Sequence, residues 1–97
     1  MTLLRERIAE LRDSIRAAAA ASGAREVRIF GSVARGDDAS DSDVDFLVTL
    51  EPGRTLLDLA RLELQLEALL GCRVDVVTEA TLREPVRSAA VGEAVHV

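Results

Sequence analysis

Aromatic residues are nearly missing from this sequence: Phe30 and Phe46 stand alone, with no Trp and no Tyr. A platform that stacks the bases of single-stranded nucleic acid needs aromatic faces, so that class of binding is disfavoured. Lysine is missing altogether, and all 12 basic residues are Arg. A lysine Schiff base and a phosphate-loop lysine are thereby excluded. The net charge of -5 speaks against a nucleic-acid backbone as the main partner. A metal that offsets clustered carboxylates, or a basic protein surface, suits the charge better. Cys72 is the one cysteine, so no intrachain disulfide forms. Its place between a leucine-rich and a valine-rich segment marks it as a small core residue. No apolar run reaches membrane-spanning length and no signal-peptide pattern opens the sequence, which sets the cytoplasm as the expected location.

What is present suffices for one small globular domain over residues 1–97. Apolar residues make up 48 % and charged residues 30 %, enough for a core of Leu, Val, Ile and Ala inside a solvated surface. Leu4, Ile8, Leu11, Ile15 and Ala18 recur at steps of four and three, which predicts an amphipathic helix from about Thr2 to Ser22. Thr2 can cap its start and Gly23 can end it. A β-prone run from Glu26 to Phe30 leads into Gly31-Ser32, and Val33 to Arg35 can form one helical turn. Residues 36–42 form a polar, acidic loop, and Val44 to Leu50 is a second strand.

After a Pro52-Gly53 turn, Thr55 and Asp58 have the spacing of a capping box for a helix that runs to Leu70 and stops at Gly71. Leu56, Leu59, Leu62, Leu66, Leu69 and Leu70 share its expected core face. Leu57, Ala60 and Leu64 form a second stripe, either core beneath the C-terminal segment or a surface for a partner or a second copy. Arg73 to Thr78 is a third strand, a short helix follows from about Thr81, and Ala94 to Val97 can close as a short strand. The order is α-β-β-α-β-α-β, an α+β (mixed α/β) domain with helices around one sheet.

The chemistry concentrates in residues 31–45. Asp43 and Asp45 are two apart in a strand, so their carboxylates point to one face, roughly 7 Å apart along the backbone. Mg²⁺ resolves such repulsion, since it prefers a few carboxylates together with phosphate oxygens and water. Asp75 lies in an otherwise apolar strand, where an aspartate is costly unless solvated or coordinated. If that strand pairs beside the second, three carboxylates converge on a two-metal site. Gly31 lets a backbone approach phosphate closely, the Ser32 hydroxyl can donate to it, and Arg35 can reach the same charge one turn on. Two rival motifs fail. Gly31 and Gly36 have phosphate-loop spacing, but Asp37-Asp38 stand where Lys-Ser/Thr is required. Asp41 to Asp45 starts like a calcium loop, but Phe46 replaces its glycine and Pro52 its bidentate glutamate.

The pattern Gly31-Ser32, then Ala34-Arg35-Gly36, then Ser42-Asp43-x-Asp45 resembles the DNA polymerase β nucleotidyltransferase superfamily. More narrowly, it is similar to the minimal nucleotidyltransferase antitoxins of HEPN/MNT toxin–antitoxin pairs. The resemblance implies a nucleotidyltransferase fold with a small mixed sheet flanked by helices. It implies Mg²⁺-dependent transfer of AMP from ATP to a tyrosine hydroxyl of a HEPN ribonuclease toxin. The residues it assigns are Gly31, Ser32 and Arg35 for the nucleotide phosphates, and Asp43, Asp45 and Asp75 for metal, with Asp75 also activating the acceptor. The larger relatives' extra substrate-binding domain has no counterpart in this sequence, which favours a protein that presents its own hydroxyl. Two other expectations stand beside this one: a binding module of the same fold that neutralises its partner by contact, and a transferase that modifies a small molecule through a separate subunit. Among the remaining residues, Asp37, Asp38 and Asp41 are expected to be loop charge, and His96 is expected to be structural.

Overall fold

The computed structural model describes residues 4–36 and 43–97. Thr2, with its expected capping role, and the acidic loop residues Asp37, Asp38 and Asp41 lie outside the described residues. The amphipathic N-terminal segment is helical but divided, as α1 (Leu4–Glu10) and α2 (Arg12–Ala21). The interruption spans one residue. Leu11 N–H still donates to Arg7 O at 3.0 Å, and Ile15 N–H to Leu11 O at 2.9 Å. The apolar stripe therefore runs through the break: Leu4, Ile8 and Ile15 are buried and Leu11 packs against them. At its far end Ala19 is the buried position, with Ala18 only partly covered.

Strand β1 (Ala24–Phe30) begins two residues before the expected start. Val27 and Ile29 face the core, and Phe30 is half-buried on the other side. After Gly31 comes the short helix α3 (Ser32–Arg35), then β2 (Val44–Leu50), whose bounds match the expected strand. Helix α4 (Leu56–Leu70) opens with the expected capping box. Thr55 Oγ1 accepts from the Leu57 N–H at 3.2 Å, and Asp58 Oδ2 accepts from the Thr55 N–H at 2.9 Å. That bond is the main reason the Asp58 carboxyl lies below its ordinary value. Gly71, in the left-handed conformation, ends the helix.

The core face of α4 is narrower than the sequence pattern. Leu59, Leu62, Leu66 and Leu70 are buried, whereas Leu56 is 71 % and Leu69 37 % exposed. Leu57 and Leu64 are also exposed, so the second stripe is not core beneath the C-terminal segment. One sheet can cover only one flank of a single helix, and leucines beyond that arc meet solvent. Strand β3 (Val74–Val77) follows. The helix expected from Thr81 is displaced: a 3₁₀ turn occupies Glu79–Thr81 and the α-helix α5 spans Val86–Glu93. The Pro85 ring, which lacks an N–H, suits a helix start and not its interior. Strand β4 (Val95–His96) closes the sheet, with the exposed His96 in register with Arg28.

The sheet order is β3-β2-β1-β4. Strand β1 is antiparallel to β2 and β4, and β2 is parallel to β3, so the sheet is mixed. The parallel pair requires a crossover, which α4 supplies. Helix α2 packs on β1 and α4, and α4 packs on β3. Val44, Phe46 and Val48 of β2 point into the resulting core, with Val74 and Val76 of β3 beside them. The intervening residues Asp45 and Asp75 are thereby turned to the opposite face. Cys72 is half-buried against the same core, where burial raises its thiol above its ordinary value. No helix among the described residues is long and apolar enough to cross a membrane.

Candidate active site

Three elements bring the chemistry-bearing residues together. The register of the parallel pair sets Asp45 of β2 directly against Asp75 of β3. Strands in a sheet lie about 4.8 Å apart and registered residues share a face, so these carboxylates are neighbours. Asp43, one residue before β2, is exposed, and its charge acts on Asp45. The third contributor is the end of β1, where Phe30 is in register with Asp45 and Gly31 follows.

Gly31 has φ 77° and ψ -152°, a region that is essentially glycine's own. A Cβ built there would stand 2.5 Å from Asp45 Oδ2. Both facts explain the glycine: the backbone bends where a side chain is disfavoured, and the Asp45 carboxylate fills the space a side chain would take. Gly31→Ala is accordingly expected to displace either the turn or Asp45. Any reaction carried out at this site should fall about a hundredfold, the scale that goes with misplacing a reacting group by about 1 Å. Thermal melting by circular dichroism should show a smaller loss, on the order of 1–3 kcal/mol for the strained backbone.

Asp45 is the electrostatic centre. Its pKa is raised from the ordinary value of 3.8, first by partial burial, then by the charges of Asp75, Asp43 and Glu93, with Arg35 acting in the opposite direction. The group is therefore surrounded by carboxylates and counterbalanced by one guanidinium. Such a set of hard oxygen donors fits Mg²⁺, which binds through one or two carboxylates plus phosphates and keeps several waters. Among the described residues no close cage of three or more acidic, His or Cys side chains is formed. Asp45 and Asp75, in register, with Asp43 nearby, are the carboxylates gathered here.

Of the three residues expected to meet phosphate, Gly31 and Arg35 have a partner that the sequence did not point to. Gly31 N–H donates to Glu93 Oε1 at 3.0 Å, and Arg35 Nη1 donates to Glu93 Oε1 and Oε2 at 3.2 and 3.1 Å. Glu93 is the last residue of α5, 62 positions from Gly31. No local spacing links the two, so only the packed fold reveals the contact. Ser32 opens α3 beside them and is half-buried. A cleft of about 340 Å³ at the other end of β2, lined by Val48, Thr49, Leu50, Thr78, Glu79 and Ala80, holds none of these groups.

A bent Gly-Ser turn after one strand, an Asp-x-Asp at the start of the antiparallel next, and an aspartate in register on a parallel third thus stand together at one end of the sheet. The family model described as nucleotidyltransferase domain matches residues 8–96, and the chain belongs to that family and is an enzyme of that class. Within the family it is similar to the protein adenylyltransferase MntA of Thermococcus cleftensis, with 45 % identity over 75 residues, covering 77 % of this chain and 76 % of the relative. A solved structure provisionally named a minimal nucleotidyltransferase is 48 % identical, with a TM-score of 0.85, and the match covers 96 % of this chain and 95 % of that one. A crystal structure of a toxin–antitoxin complex with AMP-PNP shares the fold, at 19 % identity and a TM-score of 0.74, over 87 % of this chain and 69 % of the other.

Proposed function

We propose that this protein is a protein adenylyltransferase that transfers AMP from Mg²⁺-ATP to a tyrosine hydroxyl of a cognate HEPN ribonuclease toxin, and so acts as the antitoxin. The observation that carries the reading is the alignment of Asp45 with Asp75 across β2 and β3, beside the Gly31 turn. Support for a protein acceptor comes from the 45 % identity to a relative that bears the name protein adenylyltransferase. Support for the nucleotide and the toxin partner comes from the AMP-PNP-bound toxin–antitoxin complex with the same fold. The cytoplasm is the location that goes with this activity.

In this reading Ser32 and Arg35 orient the phosphates, and Asp43, Asp45 and Asp75 are the residues that would hold Mg²⁺. When bound, the ion neutralises phosphate charge and stabilises the departing pyrophosphate. The acceptor oxygen forms a bond to the α-phosphorus, and the bond from that phosphorus to the bridging oxygen breaks. Pyrophosphate leaves with the electron pair, and the acceptor proton passes to a carboxylate oxygen of Asp75. An exposed carboxylate at a sheet edge suits that last role, because the acceptor arrives from solvent on another protein.

Intact mass spectrometry of the protein encoded beside this chain, before and after incubation with the chain and Mg²⁺-ATP, tests the reading. The expected result is a gain of one or more adenylyl units, located on tyrosine by peptide mapping. A stable complex with no gain in mass would replace catalysis by neutralisation through contact.

A further inference from the structure

We propose that Glu93 is a positioning residue of the nucleotide turn: from the far end of the chain it clamps both ends of α3 and thereby sets the attitude of Ser32 and Arg35 toward the nucleotide phosphates. The inference rests on the nucleotidyl-transfer reading of this site and adds a residue to it.

Helix α3 has four residues, Ser32–Arg35. A helix this short does not hold itself together, because nucleation fixes several residues for very few hydrogen bonds. Its start follows a glycine whose φ and ψ are off the common regions, and the N–H of that glycine lies beyond the last ladder pair of β1. Glu93 accepts from that N–H and from the Arg35 guanidinium with one carboxylate. Three bonds of 3.0 to 3.2 Å thus tie the entry and exit of α3 to the end of α5. The pair is only partly exposed on the carboxylate side, at 29 % for Glu93 against 51 % for Arg35.

The division of labour in the turn changes accordingly. Gly31 contributes by lacking a Cβ, which leaves room for the Asp45 carboxylate, while its N–H serves the clamp. Phosphate contact falls to Ser32 and to the guanidinium of Arg35. Glu93 engages that guanidinium through Nη1. Holding the planar fork in one orientation beforehand removes ordering that a nucleotide would otherwise have to supply.

Glu93→Ala and Glu93→Gln in the full chain test this by three readouts: exchange of the Gly31 amide by NMR, calorimetric binding of Mg²⁺-AMP-PNP, and the kcat and KM of adenylyl transfer. With Glu93→Ala, Gly31 amide exchange should quicken about tenfold, and the nucleotide Kd and KM should rise about tenfold, the loss of one charge-assisted bond network. The kcat should stay within about threefold, since no reacting atom touches Glu93. Glu93→Gln keeps an oxygen acceptor for the Gly31 N–H and should restore the amide protection with part of the affinity. An unchanged Kd in Glu93→Ala overturns the proposal. So does a tighter Kd, which would make the carboxylate a competitor of phosphate for Gly31 and Arg35. Wild-type chain that binds AMP-PNP but transfers nothing from ATP overturns the transferase reading alone, leaving the Kd comparison to judge Glu93. Wild-type chain that binds no nucleotide overturns both.

Discussion

Asp45→Asn is expected to abolish adenylyl transfer and at the same time to make the nucleotide-free protein more stable. The two effects share one cause. In the fold Asp45 is partly buried and faces Asp75, Asp43 and Glu93, and its carboxyl prefers to keep its proton. The sign follows from linkage. A carboxyl whose folded pKa is raised gives its full contribution to stability below its ordinary value of 3.8 and loses it as pH rises through the raised value. At neutral pH the charge is therefore held against a penalty. Asparagine has nearly the same shape and no charge, so the penalty disappears. The melting temperature at pH 7 should rise by on the order of a few °C. The gain should shrink as pH is lowered toward the ordinary carboxylate value, because the native aspartate then becomes neutral too.

Loss of activity should be far larger. Removing the carboxylate proposed to hold Mg²⁺ is expected to lower kcat by at least about a thousandfold, the scale of losing a central electrostatic group. Mg²⁺ with AMP-PNP should raise the melting temperature of the wild-type chain by mass action and raise that of Asp45→Asn much less. Differential scanning fluorimetry with and without Mg²⁺-AMP-PNP, paired with the mass-spectrometric transfer assay, reads both effects. A variant that is destabilised at pH 7, or one that still transfers at near wild-type rate, would remove Asp45 from the role given to it here.

Phe46→Ala is expected to have the largest effect on stability. Phe46 is fully buried on β2, an interior strand, with Ile29 and Val76 in register on its two sides. It is one of only two aromatic residues, and the other, Phe30, is half-buried. Truncating a buried phenylalanine costs about 3–5 kcal/mol through lost transfer energy and a cavity. A chain of this size has a total stability of roughly 5–15 kcal/mol. Phe46→Ala should therefore lower the melting temperature by at least about 12 °C, or leave the chain largely unfolded at 37 °C. Leu64→Ala, on the exposed stripe of α4 where the side chain is 68 % exposed, should change stability by no more than about 0.5 kcal/mol. Urea titration followed by far-ultraviolet circular dichroism suits both, since the chain has no Trp or Tyr. A loss below about 1 kcal/mol for Phe46→Ala would mean that Phe46 does not fill the shared core as described.

The strands and the principal helix were legible because their signals are local. Val44 to Leu50 is bounded by an acidic loop and a Pro-Gly turn, and it appears with those limits. Thr55, Asp58 and Gly71 marked the ends of α4 by capping chemistry, which depends only on neighbours in sequence. The C-terminal region was less legible. The helix there starts at Val86, after a proline, and the segment from Thr81 carries no apolar period strong enough to locate it. Composition likewise overstated the core face of α4. Leu56 and Leu69 are apolar, but burial depends on how far around the helix the sheet and α2 reach.

For the site, sequence spacing by itself determined that Asp43 and Asp45 stand close at the start of the second strand and that Gly31-Ser32 forms a turn at a strand end, because short separation in the chain and glycine's backbone freedom are local properties. The arrangement across the sheet was decided by tertiary structure. That Asp75 is the registered neighbour of Asp45 depends on β3 pairing parallel to β2 through the α4 crossover. That Gly31 must lack a side chain depends on where the Asp45 carboxylate lies. That Glu93 holds Gly31 and Arg35 depends on α5 returning to the end of β1. Each of these joins residues far apart in the chain, and only the packing of an apolar core, which fixes strand order and register together, brings them within reach.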